Sequence, residues 1–93
     1  MENTTTITIL KSLADSTRLS IVRKLARDGC EVPSRDIVSD CAVALELSQP
    51  TMSHHLQKLV ASGVIRERKA GVEKYYQLDT DLLESAGITI AKL

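Results

Sequence analysis

The sequence predicts a mainly α-helical domain with a small β-hairpin wing, in the order α-α-α-α-β-β-α. Helical apolar spacing recurs in four segments before Gly63, and a three-residue break, 46–48, separates the third segment from the fourth. Two β-type runs around Gly71 follow. A helix, a short break and a second helix followed by a hairpin are typical of a winged helix-turn-helix. At 93 residues and 43% hydrophobic composition, the chain 1–93 is expected to form one domain.

The first two helices are predicted from apolar spacing and from residues that start or stop a helix. The first covers about 5–14, and the second covers about 16–28. Asp15 or Ser16 offers an N-cap for the second helix, and Gly29 offers its stop. The apolar stripes comprise Ile7, Ile9, Leu10 and Leu13 in the first helix and Leu19, Val22, Leu25 and Ala26 in the second.

The third helix is predicted to begin at Pro33 and Ser34 and to end near Glu46, because Ile37, Cys41 and Leu45 recur at steps of four.

The fourth helix has the clearest start in the chain. Ser48 is suited to the N-cap, Pro50 to the first turn, and Leu47 and Met52 to a hydrophobic staple. The predicted buried stripe is Met52, Leu56, Leu59 and Val60. Helical geometry places Pro50, His54 and Lys58 near the opposite side, with Thr51 and Gln57 at its margins. The face directed away from the core is therefore polar and able to form hydrogen bonds.

The carboxyl-terminal part is predicted to form a hairpin and one more helix. Strands 64–69 and 72–78 flank a turn at Ala70 and Gly71. Asp79 or Thr80 can cap a final helix of one or two turns before Gly87, in a terminal helical segment placed at about 80–91.

The net charge of zero conceals a segregated distribution. The formal charge is about +2 over 1–28, −3 over 29–48, +3 over 49–77 and −2 over 78–93. Positive charge is therefore concentrated on the fourth helix and the wing. Because the total is zero, we expect weak non-specific attraction to DNA, so that discrimination depends on the fit of the fourth helix to its site.

Several classes of function are disfavoured by composition and motifs. Tyr75 and Tyr76 are the only aromatic residues apart from the histidines, which is too few for a platform that stacks single-stranded bases. We find no phosphate-binding glycine loop and no catalytic motif, and therefore predict neither an enzyme nor a cofactor. No apolar run is long enough to cross a bilayer, and no leader pattern is evident, so a cytoplasmic protein without membrane contact is expected.

Three stretches together resemble the ArsR/SmtB family of bacterial transcriptional regulators. They are Leu13-Ala14-Asp15-Ser16-Thr17-Arg18-Leu19, the stretch from Leu45 to Leu56 (LELSQPTMSHHL), and Tyr75-Tyr76-Gln77-Leu78. The resemblance covers about 7–83. It implies a homodimer that binds a near-palindromic duplex operator, usually as a repressor.

The resemblance also implies which residues contact DNA and which form the dimer. The fourth helix would present Ser48, Gln49, Pro50, Thr51, Ser53, His54, Gln57 and Lys58, and the wing would present Arg66, Arg68, Lys69 and Lys74. Dimerisation would use Ile7, Leu10, Leu13, Leu82, Leu83 and Ala86. Two separated apolar terminal segments on a small chain also suit a dimer interface.

The chain departs from the family pattern at three places. Glu46 occupies a turn position that is often glycine. Ile37-Val38-Ser39 stands where many relatives carry a metal-binding Cys-x-Cys pair, and no histidine follows His55, whereas other relatives bind metal through the last helix. We therefore predict that both usual metal sites are absent.

Alternative functions remain open at this stage. Cys30, which follows a helix stop, and Cys41 could serve as thiol sensors, although the position of Cys41 favours a core role. His54 and His55 diverge by about 100°, which disfavours a shared metal. A winged helix that binds a partner protein is a further alternative, but the polar face of the fourth helix favours DNA.

Overall fold

The computed structural model describes residues 3–89, with side chains from residue 4, and confirms a mainly helical fold with a small antiparallel sheet. The elements are α1 (Asn3–Leu13), α2 (Ser16–Asp28), β1 (Val32–Pro33), α3 (34–45), α4 (Gln49–Ser62), β2 (Ile65–Ala70), β3 (Glu73–Leu78) and α5 (Thr80–Ser85). α3 and α4 form the helix-turn-helix, and β2 and β3 form the wing.

The helix starts follow the predicted capping residues. The Asp15 carboxylate accepts a hydrogen bond from the backbone N–H of Arg18 at 3.0 Å, so Asp15 rather than Ser16 caps α2. The Ser48 hydroxyl accepts from the backbone N–H of Thr51 at the start of α4. These side chains satisfy N–H groups that have no partner within the helix. The second and fourth helices therefore begin where local sequence predicts.

A π-helical turn lies inside α3 and changes which of its residues face the core. The helix runs as an α-helix over Ser34–Ile37, as a π-helix over Val38–Ala42 and again as an α-helix over Val43–Leu45. A π turn contains extra backbone, so it rotates the following residues about the helix axis. The three residues whose spacing predicted this helix therefore do not share one buried face: Leu45 is 39% exposed, whereas Ala42 is buried beside Cys41.

The turn between α3 and α4 depends on a residue in the left-handed conformation. Glu46 has φ 56° and ψ 41°, and it is the only non-glycine residue with positive φ among residues 3–89. The Leu47 N–H donates to the Ala42 carbonyl at 2.8 Å, and the Glu46 N–H donates to the Val43 carbonyl at 3.3 Å. These two bonds form a Schellman motif, whose left-handed position favours glycine.

We expect Glu46→Gly to stabilise the protein. The left-handed conformation costs a residue with a Cβ about 1–2 kcal/mol, and the greater flexibility of glycine in the unfolded chain offsets part of that gain. The free energy of unfolding should therefore rise by about 0.5–1 kcal/mol in urea denaturation. Glu46→Gln removes the charge without relieving the backbone, and serves as the control. If Glu46→Gly and Glu46→Gln had equal free energies of unfolding, the gain in stability would not come from the backbone conformation.

The sheet has a third strand that was not predicted from sequence. β1 pairs antiparallel with β3, with Val32 opposite Tyr76 and Pro33 opposite Tyr75, so the strand order is β1-β3-β2. The hairpin partners β2 and β3 align from Ile65 opposite Leu78 to Ala70 opposite Glu73. Because β1 has two residues and one is proline, it carries no alternating pattern of its own. It anchors the base of the wing to the start of α3.

A single apolar core joins all the helices to one face of the sheet. The turn between α3 and α4 and the polar face of α4 lie outside this core. Its fully buried larger members are Ile9, Ile21, Val22, Leu25, Ile37, Met52, Leu59, Val64, Ile65 and Leu83. The predicted buried stripes of α2 and α4 contribute to this core, with Ile21 buried in addition. Three members of these stripes are only partly buried, namely Leu19, Ala26 and Val60.

The buried phenol of Tyr76 makes stability sensitive to high pH. Burial, with a further contribution from the nearby Glu67 carboxylate, raises the pKa of Tyr76 to about 12. An unfolded tyrosine ionises near pH 10, so the unfolded state loses its proton first and stability falls between about pH 10 and 12. Between pH 9 and 11.5 the wild type should lose about 2 kcal/mol more unfolding free energy than Tyr76→Phe. Equal losses in urea denaturation would contradict this assignment.

The last helix has the predicted one or two turns before Gly87 but does not fill the predicted segment of about 80–91. α5 ends at Ser85. Gly87 adopts φ 80°, and the N–H groups of Gly87 and Ile88 donate to the carbonyls of Glu84 and Leu83, each at 2.9 Å. These bonds form a second Schellman motif that ends the helix, while Ile88 packs against the core. The final predicted residues, 90 and 91, lie outside the described part of the chain.

Candidate nucleic-acid interface

The outer face of α4 is a row of exposed polar side chains. The buried residues Met52, Leu56 and Leu59 fix the helix against the core, so the opposite side faces outward. Thr51 is half-buried, and its hydroxyl lies 2.9 Å from that of Ser48. The predicted residues that are exposed are Ser48, Gln49, Pro50, Ser53, His54, Gln57 and Lys58. The structure thus brings together the α4 residues that the sequence predicted, and their amide, hydroxyl and imidazole groups suit the edges of base pairs.

A small polar cluster fixes α4 against the start of α2. The Arg18 guanidinium lies 3.3 Å from Nδ1 of His55 and donates from Nε to the Ser12 carbonyl at 2.6 Å. The Asp15 carboxylate lies 3.8 Å from the same His55 nitrogen, and its hydrogen bond from the Arg18 backbone lowers its pKa. The His55 side chain is only 14% exposed. His55 therefore packs against α2, whereas the neighbouring His54 is on the exposed face.

The sequence did not predict this cluster, although Arg18 and His55 both stand in the stretches that carry the family resemblance. Arg18 and His55 lie 37 residues apart, and nothing in the local sequence of either helix indicates that their side chains are in contact.

The basic residues of the wing divide into two groups. Lys69 and Lys74 are opposite each other beside the hairpin tip, where Gly71 and Val72 are exposed. Arg68 lies farther back, where its guanidinium makes a two-point contact with the Glu31 carboxylate (2.8 and 3.0 Å) and stacks 4.7 Å from the Tyr75 ring centre. This pairing lowers the pKa of Glu31 and raises that of Arg68.

Arg66 is exposed but borders a small hollow near Cys30 and Thr80 at the base of the wing. The tip lysines are therefore the wing cations best placed to reach a DNA phosphate. Arg68, predicted to contact phosphate or the minor groove, is engaged in an exposed ion pair with Glu31, and its contact with DNA stays a prediction.

Ion pairs also connect α3 of the helix-turn-helix to α2 and to the wing. The nearly buried Lys24 of α2 contacts Asp28 at 3.0 Å and Asp40 of α3 at 2.5 Å. These contacts raise the pKa of Lys24 and lower that of Asp40, the hydrogen bond between the two being the main cause for both. A second pair joins Arg35 of α3 to Glu73 of the wing. The sequence did not predict these contacts, which connect elements far apart in the chain.

The two cysteines differ in environment and are both free thiols. Cys30 is exposed, and Cys41 is buried in the core, as the sequence favoured. Burial raises the pKa of Cys41, which disfavours the thiolate that a reactive sensor needs. Nothing in the geometry favours a thiol switch.

The residues predicted for dimerisation fall into exposed and buried sets. Ile7 and Leu10 on α1 are 50% and 51% exposed. Leu13, Leu82 and Ala86 are half-buried and pack against the edge of the core. Leu83 is fully buried within the core of a single chain, so its assignment to the dimer interface is corrected to a core role.

The described residues contain neither a metal-binding cluster nor a membrane-spanning helix. Within that part of the chain, no three or more His, Cys, Asp and Glu side chains are grouped so as to hold a metal ion. No helix there is long and apolar enough to span a membrane.

Comparison with known proteins links this fold and surface to one group of regulators. A curated relative, the arsenical resistance operon repressor of Staphylococcus aureus, is 38% identical over 77 residues, which are 83% of this chain and 68% of the relative. The protein of the same description from Escherichia coli K12 is 42% identical over 72 residues, 77% of this chain and 57% of the relative. The chain therefore spans only about half to two thirds of these relatives.

Solved structures agree with the sequence comparisons. HlyU from Vibrio cholerae N16961 has a TM-score of 0.73 and 29% identity, with 94% of this chain and 91% of that chain covered. The family model described as "Bacterial regulatory protein, arsR family" matches residues 15–67, which include α2, the helix-turn-helix and the first part of the wing. These are transcriptional regulators and not enzymes. The chain belongs to the arsR family of bacterial regulatory proteins.

Proposed function

We propose that this protein is a homodimeric transcriptional repressor in which α4 enters the major groove of a near-palindromic operator. The observation that carries the proposal is the exposed polar face of α4, where Gln49, His54 and Gln57 lie opposite the buried stripe. Recognition helices of this kind contact base edges mainly through their first residues. Ser48 and Pro50, which hold the amino-terminal turn, would set the approach of Gln49 to the bases.

The wing would contact the DNA backbone beside the major-groove site. Lys69 and Lys74 meet across the hairpin at its exposed end, so two positive charges are presented together. Arg68 would position the wing through its contacts with Glu31 and Tyr75. Phosphate contacts of this type fix register and affinity but carry little sequence information.

A homodimer would place two copies of α4 on successive half-sites. The half-exposed Ile7 and Leu10 of α1, with Leu82 and Ala86 near the other end of the chain, supply apolar surface for such an interface. Two-fold symmetry of the protein would then be mirrored by two-fold symmetry of the operator. A regulator of this kind acts on cytoplasmic DNA.

The repressor activity is proposed from relatives named as operon repressors, but their arsenical signal is not carried over. Ile37, Val38 and Ser39 stand where the family resemblance expects a Cys-x-Cys pair, and none of these side chains is a thiol. We therefore propose a repressor without the usual metal sites of the family.

Selection of genomic DNA fragments by the purified protein at moderate salt tests the proposal. We expect enrichment of duplexes with two inverted half-sites about one helical turn or more apart, and steep loss of affinity as salt increases. Sedimentation of the protein bound to a selected duplex should give two chains per operator. Recovery of fragments with no shared sequence would contradict the proposed function.

A further inference from the structure

A cationic cavity of about 300 Å³ lies between α1 and α4, away from the DNA-facing residues at the start of α4. Its volume is at the lower end of the range for small-molecule sites. Its polar lining residues are Thr8, Lys11, Ser12, Arg18, Lys58 and Ser62. Three of these side chains are cations and three carry hydroxyl groups, whereas no carboxylate is among the lining residues.

The two lysines of the cavity, Lys11 and Lys58, have no ion-pair partner among the described residues, 4–89. Arg18 uses Nε on the Ser12 carbonyl and Nη1 on His55, which leaves further N–H donors of its guanidinium for a ligand. Asp15 caps α2, and its carboxylate also interacts electrostatically with Arg18. The uncompensated charge of the cavity is therefore that of Lys11 and Lys58, which a bound anion would complement.

A buried hydroxyl also lines the cavity. Ser12 is almost fully buried, and the single hydrogen of the Ser62 hydroxyl is shared between the Ser12 oxygen at 3.0 Å and the Leu59 carbonyl at 2.9 Å. A hydroxyl that accepts one hydrogen bond still has its own hydrogen to donate. Lysine ammonium groups, a forked guanidinium and a hydroxyl donor are the groups that bind phosphate oxygens in proteins.

We propose that this cavity binds a small, doubly charged oxyanion of the phosphate or phosphate-ester class, and that the anion weakens operator binding. The second part rests on the proposed function, in which Lys58 of α4 contacts the DNA backbone. A bound anion would engage Lys58 and lower the positive charge beside the operator. Arg18 would transmit the change to α4 through His55, which it already contacts.

Titration of the ¹⁵N-labelled protein with inorganic phosphate, without DNA, tests the site itself. At constant ionic strength against sodium chloride, phosphate should cause saturable shifts of the amides around Lys11, Ser12 and Lys58. Lys11→Gln should weaken phosphate binding about tenfold or more, as expected for loss of a charge-assisted contact. Arg23→Gln makes an equal change of charge at an exposed side chain of α2, and this variant should bind phosphate as the wild type does. Equal shifts in chloride, or unchanged binding by Lys11→Gln, would overturn the site.

A second arm separates a free anion from a phosphate of the DNA backbone. In phosphate-free buffer, Lys11→Gln should bind the selected operator as well as Arg23→Gln does. Added phosphate at constant ionic strength should then weaken operator binding by the wild type and Arg23→Gln but not by Lys11→Gln. Selective loss of operator affinity by Lys11→Gln without phosphate would overturn the free-anion assignment and favour a DNA phosphate in the cavity. Phosphate binding without any operator binding would contradict the proposed function and leave the anion site supported.

Discussion

Leu59→Ala should lower the free energy of unfolding by about 2–5 kcal/mol, a large part of the stability of a domain of this size. Leu59 is fully buried on the inner face of α4. Alanine would remove its apolar contacts and leave a cavity beneath the helix that carries the proposed DNA-binding face. Urea denaturation of the wild type and the variant at the same protein concentration measures the change, because the stability of a dimer depends on protomer concentration.

Val43→Ala is the matched control for Leu59→Ala. Val43 is an apolar residue at the end of α3, but it is 73% exposed, so its truncation should change stability by less than about 0.5 kcal/mol. A loss in Leu59→Ala no greater than that in Val43→Ala would show that α4 is not held by the core as described.

Gln49→Ala should reduce affinity for the selected operator by about 5- to 150-fold for each bound chain, the loss of one well-placed contact with a base. Gln49 is exposed in the first turn of α4, where recognition helices contact base edges. Because its side chain is neutral, the dependence of affinity on salt concentration should stay unchanged. Binding to unrelated duplexes should also stay unchanged.

Two further variants separate loss of a base contact from loss of a phosphate contact and from loss of a glutamine elsewhere. Lys69→Gln, at the wing tip, should weaken binding to all duplexes and reduce the salt slope by about one per bound chain. Gln77→Ala removes the same side chain as Gln49→Ala, but from the wing strand near Cys30, and should leave operator affinity unchanged. Binding isotherms at several salt concentrations distinguish the three variants. Equal operator affinity in Gln49→Ala and Gln77→Ala would contradict base recognition by the start of α4.

The sequence predicts those parts of the fold that local chemistry determines. Asp15 and Ser48 cap helices because their side chains reach backbone N–H groups three residues ahead. The buried stripe of α4 follows from its helical period, and with it the polar face on the other side. The candidate interface on α4 was therefore identifiable without coordinates.

Features that depend on residues far apart in the chain were not predictable. Val32 and Pro33 become a strand only because β3 lies beside them. Arg68 is spaced as a free wing cation, but the fold brings Glu31 and Tyr75 to it. The family resemblance implied a dimer contact for Leu83, yet this residue is fully buried in the core of one chain.

The exposure of Leu45 does not follow from its helical spacing, for a different reason. The rule of helical spacing assumes a uniform α-helix, and the π turn at Val38–Ala42 breaks that assumption within one segment. The neighbouring Glu46 is a related case. The sequence shows that glycine is replaced at this turn, but only the structure shows that Glu46 adopts the left-handed conformation with φ 56°.

Mapping amide chemical shifts while the ¹⁵N-labelled protein is titrated with its selected operator tests the central claim most directly. The largest shifts should cluster on residues 49–58 of α4 and on the wing tip around Lys69 and Lys74. A scrambled duplex of equal length should shift the wing but leave the start of α4 little changed. Shifts confined to another surface, such as the exposed end of α3 at Val43–Leu45, would contradict recognition of DNA by α4.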